Sequence, residues 1–167
     1  HGATLLQATM EDLRGGGIYA ASPSASIRNC VISGNAARFD GGGAAGGSFE
    51  DCVFAGNRAY TGGGVYGLYP DLSTLNRCVL RDNRADLDGG GANYAILNNS
   101  LLHDNVAGRF GGGAAASSMT NSTVTANAAG LQYGGLYGQA TFAGVRNSII
   151  AANTAPATPD LSTAEIF

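Results

Sequence analysis

Asn29-Cys30-Val31-Ile32-Ser33-Gly34-Asn35-Ala36-Ala37, followed six residues after Asn35 by Gly41-Gly42-Gly43, is the unit that the rest of the chain repeats. With Asn35 as anchor, equivalent asparagines recur at Asn57, Asn83, Asn105, Asn127 and Asn153, at spacings of 22, 26, 22, 22 and 26 residues. Two positions after each anchor stands an alanine: Ala37, Ala59, Ala85, Ala107, Ala129 and Ala155. Three positions before it stands a large apolar residue (Ile32, Phe54, Leu80, Leu102, Val124, Ile150), and eight before it another (Ile27, Phe49, Leu75, Leu97, Met119, Val145). Five before it the residue is small: Cys30, Cys52, Cys78, Ser100, Ser122, Ser148. A period in the twenties that holds at several columns over six units is the signature of a solenoid.

Helix is a poor reading of these units. Most contain three consecutive glycines, and their short apolar runs are bounded by Gly and Asn, so each reads as short strands joined by turns. Asparagine tolerates left-handed backbone and hydrogen-bonds up and down a stack, so the anchors are expected to form an inward or corner ladder. Residues that recur once per coil pile up about 4.8 Å apart, giving columns of apolar and small side chains. The pattern predicts an all-β parallel β-solenoid of about seven coils, a rod about 34 Å long, with 22–26 residues per coil. Residues 1–167 read as one domain. Residues 1–14 form a degenerate first coil, with Leu5 and Leu6 at the apolar pair and Thr9 at the anchor. Residues 154–167, which carry Pro156 and Pro159, read as a C-terminal tail or cap, because prolines cannot donate to a ladder.

Composition narrows the function classes. The 27 glycines are periodic, unlike those of a disordered tract. Nine arginines, no lysine and a net charge of −3 provide no basic stripe for a phosphate backbone, which excludes nucleic acid as a partner. No apolar run approaches the length of a transmembrane helix. A chain beginning at His1 reads as a mature or excised form. The three cysteines share one column and read as buried free thiols. A Cys30–Cys52 bridge is disfavoured, because in-register neighbours lie about 4.8 Å apart, wider than the usual Cβ separation.

Repeat length varies at one place. Units starting at Gly15, Gly62 and Gly134 carry about four extra residues after the glycine strand, in loops Tyr19 to Ser26, Tyr66 to Thr74 and Tyr137 to Gly144. Insertions at one repeat position emerge along one edge of a solenoid, often a binding edge. These loops hold Tyr19, Tyr66, Tyr69, Tyr137 and Phe142, candidates for contact with a protein or a sugar ring. The plainer reading is that they cover the core edge.

Gly15-Gly16-Gly17-Ile18-Tyr19, Gly62-Gly63-Gly64-Val65-Tyr66 and Phe54-Ala55-Gly56-Asn57 resemble the paired GG-[aliphatic] and F-x-x-N repeats of polymorphic outer-membrane autotransporter passengers. The segment Asn147-Ser148-Ile149-Ile150-Ala151-Ala152-Asn153-Thr154-Ala155 through Pro159-Asp160-Leu161 is similar to the end of bacterial right-handed β-helix repeat proteins of the choice-of-anchor Q type. The resemblance covers nearly the whole chain. It implies a right-handed parallel β-helix, secreted or displayed on the cell surface, in families that mostly serve as adhesins or surface architecture. Only Phe54 supplies the Phe of F-x-x-N; Ile, Leu or Val stands there in the other units.

Many parallel β-helices act on polysaccharides, so the acidic residues need scrutiny. Asp82 and Asp104 precede adjacent anchors, and Asp86 and Asp88 follow Asn83; such a set has the oxygen ligands that Ca²⁺ takes. Arg81, Arg84 and His103 stand beside them and offer ordinary ion pairs, as does Arg77 for Asp51. A glycosidase needs two carboxylates about 5–10 Å apart across a cleft, and a lyase needs a base, for which Arg81 or Arg84 near Asp104 is the candidate. His103 has no Ser or Cys partner at a recurring spacing, and no catalytic, cofactor or metal residue is assigned. The sequence reads as a non-catalytic extracellular or cell-surface β-helix, adhesin-like or a structural rod, stacking head to tail or forming part of a longer chain. The alternative is a carbohydrate-active enzyme of the polysaccharide lyase or hydrolase type.

Overall fold

Single left-handed residues cut each coil into four extended pieces. In the coil of Asn35 the strands are Ser26–Arg28, Val31–Ser33, Ala36–Ala37 and Ala44–Ala45. Between and after them stand Asn29 (φ 52°), Gly34 (φ 66°), Gly41 (φ 70°) and Gly46 (φ 73°). The first corner recurs at Asp51, Arg77, Asn99, Asn121 and Asn147, and the second at Gly56, Asp82, Asp104, Ala126 and Ala152, all at positive φ. An αL residue turns the chain within one position and leaves its neighbours free to pair with the next coil. The anchors themselves are absent from these corners. The turn falls one residue earlier, which leaves the asparagine side chain pointing inward.

The computed structural model describes residues 4–6, 9–10, 14–22, 24–138 and 144–161, with 4–6 and 9–10 described as backbone. Stacking of the coils builds four parallel sheets, lettered A to D in chain order. Sheet A has seven strands, from Thr4–Leu6 to Ile149–Ala151, and sheets B, C and D have six each. Register follows the repeat: Ile32 pairs with Phe54, then Leu80, Leu102, Val124 and Ile150. There are thus about six coils and not seven. The end units are incomplete: Thr4–Leu6 and Thr9–Met10 serve sheets A and B, and after Ile149–Ala151 single bridges join Thr154, Ala157 and Leu161 to the coil below.

The inward residues of sheets A and D form the wide side of the core, with Phe49, Phe54, Leu75, Leu80, Leu97, Leu102 and Met119 essentially buried. Phe49 and Phe54 meet edge to face at 5.0 Å, filling the same level from two sheets. Each such side chain contributes about 1.5–3 kcal/mol through burial. The facing columns of sheets B and C are mostly Ala, which narrows the section where the glycine strands approach. The last glycine of each triplet is forced by packing: a Cβ on Gly91 would lie 2.5 Å from Gly113 O and 3.1 Å from Asn105 Nδ2. Cys30, Cys52 and Cys78 are free. Its hydrogen bond with Cys52, with burial second, pushes the pKa of Cys78 up and keeps it a neutral thiol.

Candidate functional site

The anchor asparagines form a continuous interior ladder. Asn83 Oδ1 accepts from the backbone N (3.0 Å) and Nδ2 (2.9 Å) of Asn57. Its own Nδ2 donates to Asn105 Oδ1 (2.9 Å) and to Phe54 O (3.0 Å). The same link joins Asn35 to Asn57, Asn105 to Asn127 and Asn127 to Asn153. Each anchor is nearly fully buried, so its amide holds one coil to the next in a low-dielectric interior where an unpaired group is costly.

The acidic candidates lie on outward edges. Asp82 and Asp104 occupy αL corners of adjacent coils, Asp82 contacting Arg81 at 2.7 Å and Asp104 contacting His103 Nδ1 at 2.6 Å. Asp86 accepts from Arg58 at 3.0 Å, and Asp88 accepts from Arg109 at 2.6 Å. Arg77 bridges Asp51 (2.8 Å) and Glu50 (2.6 Å) from the coil above. The Arg77 hydrogen bond to Asp51 holds that carboxyl below its ordinary value. The four candidate aspartates therefore face separate partners and do not converge. Among the described residues, no group of three or more His, Cys, Asp or Glu side chains is placed to hold a metal ion.

Aromatic residues gather on the outer face of sheet C. Its inward column is Ile18, Ala44, Val65, Ala92, Ala114 and Leu136, so the next residues point outward in register: Tyr19, Ala45, Tyr66, Asn93, Ala115, Tyr137. Tyr66 meets Tyr94 at 5.6 Å, and Tyr69 meets Tyr94 at 6.2 Å. Further along, Tyr133 stacks on Tyr137 at 5.4 Å, and Phe110 lies 5.0 Å from Tyr137. Tyr19 and Tyr69 are exposed, and Tyr66 and Tyr137 are half-buried. Phe142 lies outside the described residues. Burial, then the Asp40 carboxylate, raises the pKa of Tyr66. Arg109 sits 5.3 Å over the Phe110 ring while bound to Asp88.

Tyr94, Phe110 and Tyr133 escaped the sequence reading because they lie outside the long loops. One signal was available for Tyr133: its unit has two glycines, and Tyr133 takes the place and the positive φ (59°) of the missing first one. Asn93 offered no signal, since its column holds no other asparagine.

These features define a four-sided parallel β-solenoid with a buried asparagine ladder and one aromatic face. The chain belongs to the family described as Right handed beta helix region, which matches residues 1–154. No curated protein and no solved structure gives a match. Among the described residues, no helix is long and apolar enough to cross a membrane.

Proposed function

We propose that the chain is a non-catalytic β-helix module that works outside the cell or on its surface, as an adhesin-like or structural rod. The observation that carries this reading is the separate engagement of Asp82, Asp86, Asp88 and Asp104 by Arg81, Arg58, Arg109 and His103 on outward edges. A glycoside-cleaving pair needs two carboxylates of different protonation facing one substrate, and these four are spread over corners and turns. The placement outside the cell rests on the resemblance of the repeat to autotransporter passengers. End-to-end stacking with a second copy is the partner mode we assign to the rod, since parallel strands at a coil edge template further pairing and a head-to-tail contact does not close.

The test is a screen of neutral and acidic polysaccharides for released reducing ends or unsaturated products. No turnover is expected. Turnover by the wild type that disappears in Asp104→Ala would replace this reading with that of a carbohydrate-active enzyme.

A further inference from the structure

Asn93 departs from the order seen elsewhere in this protein. The anchors Asn57, Asn83, Asn105, Asn127 and Asn153 are saturated with hydrogen bonds, yet Asn93, 6% exposed, keeps a buried Oδ1 with no partner, the one such side-chain atom among the described residues. An orphan acceptor is costly to bury and calls for an explanation. Its place supplies one. Asn93 lies on the outer face of sheet C, with Tyr66 in register on one side and Ala115 then Tyr137 on the other. Tyr66 and Tyr137 are three coil steps apart, about 14 Å by the strand spacing. Each belongs to its own aromatic cluster, Tyr66 with Tyr69 and Tyr94, and Tyr137 with Phe110 and Tyr133. The interval between them is floored by the orphan amide and a methyl group.

Resting on the non-catalytic reading above, we propose that this face binds a neutral glycan. Its pyranose rings stack on the two tyrosine clusters, and a ring hydroxyl donates to Asn93 Oδ1. The chemistry selects this ligand over others. An orphan acceptor asks for an O–H or N–H donor and repels an anion. The C–H faces of a pyranose carry slight positive charge and suit the negative face of an aromatic ring. The cations at the edge of the face, Arg14 and Arg109, are already matched, to Asp40 at 2.8 Å and to Asp88 at 2.6 Å, so neither is left unpaired among the described residues to receive a uronate or sulfate. The amide is buried in the free protein, so binding opens it by a side-chain motion that leaves the ladder-held coils in place.

Retention of the full 167-residue chain on insoluble cellulose, chitin and β-glucan, with polygalacturonate and alginate beads as acidic arms, tests this. Tyrosine fluorescence reports soluble oligosaccharides directly, because the chain has seven Tyr and no Trp. At least one neutral polymer should be retained and no acidic one. Asn93→Leu should keep or raise the thermal midpoint, since it removes the orphan, while weakening retention roughly tenfold. Tyr137→Ala should weaken it likewise. Tyr69→Ala, at a side chain 67% exposed, gives a second aromatic variant on which folding does not depend. Ile149→Ala, on the outer face of sheet A, should bind as wild type.

Retention of none of the neutral polymers, retention of acidic ones alone, or unchanged retention by both Asn93→Leu and Tyr69→Ala would overturn the site. Absence of both retention and cleavage removes the glycan site and leaves the rod reading intact. Cleavage of a retained polymer removes the non-catalytic reading and leaves the site.

Discussion

Asp160 Oδ1 accepts from both the backbone N (3.1 Å) and Nδ2 (3.0 Å) of Asn153, seven residues earlier in the chain. In every earlier coil those two donors reach the Oδ1 of an asparagine 22 or 26 residues ahead. Asp160 stands in register with Gly135, at the last glycine position, where in earlier coils the next anchor fills the space of a Cβ. Here the Asp160 side chain itself takes that space, and a carboxylate is the right one because it accepts and has nothing left to donate. The ladder is thereby closed at this level.

Asp160→Ala should destabilise by about 1–3 kcal/mol, because two donors of Asn153 lose their acceptor. Asp160→Asn should recover most of that, since an amide oxygen accepts both bonds. Urea midpoints of the three proteins decide it. Equal loss in Ala and Asn variants would assign the effect to packing.

Replacing a central anchor should cost more. Asn83→Leu removes the acceptor of the Asn57 backbone N and of one Nδ2 hydrogen of Asn57, the side-chain donor to Phe54 O, and one of the two donors to Asn105 Oδ1, which keeps the backbone N of residue 83. The expected loss is at least about 3 kcal/mol, several buried groups being orphaned at once. A thermal or urea midpoint equal to wild type would show that the ladder does not hold the coils.

Acid stability carries one assignable component. The pKa of Asp51 is lowered in the fold by Arg77, so its contribution is present at neutral pH and is lost as pH falls from the ordinary value of 3.8 through the lower folded value. Arg77→Ala should therefore lower the urea midpoint at neutral pH, and the gap to wild type should shrink as the pH falls below the ordinary value of 3.8. A gap that stays constant over that range would place the effect of Arg77 in its hydrocarbon stem.

The interior of this protein is legible in one dimension. In strand pairing, Ile32, Phe54, Leu80, Leu102, Val124 and Ile150 each meet the same column one coil away, so a sequence period states that register directly. The buried asparagine ladder and the free cysteines follow from the same logic of stacked identical positions. Tertiary structure decided what does not repeat. The number of complete coils depended on which strands the end units supply. Asp82 and Asp104 read as possible ligands in sequence, whereas their backbone φ of 56° shows them turning a corner. The aromatic face arises because outward positions are not bound to repeat, so Tyr66 meets Tyr94, and Phe110 meets Tyr133 and Tyr137, only when the coils stack. Asp160 was unreadable for the same reason: its contact with Asn153 spans seven residues and breaks the period that reveals all the others.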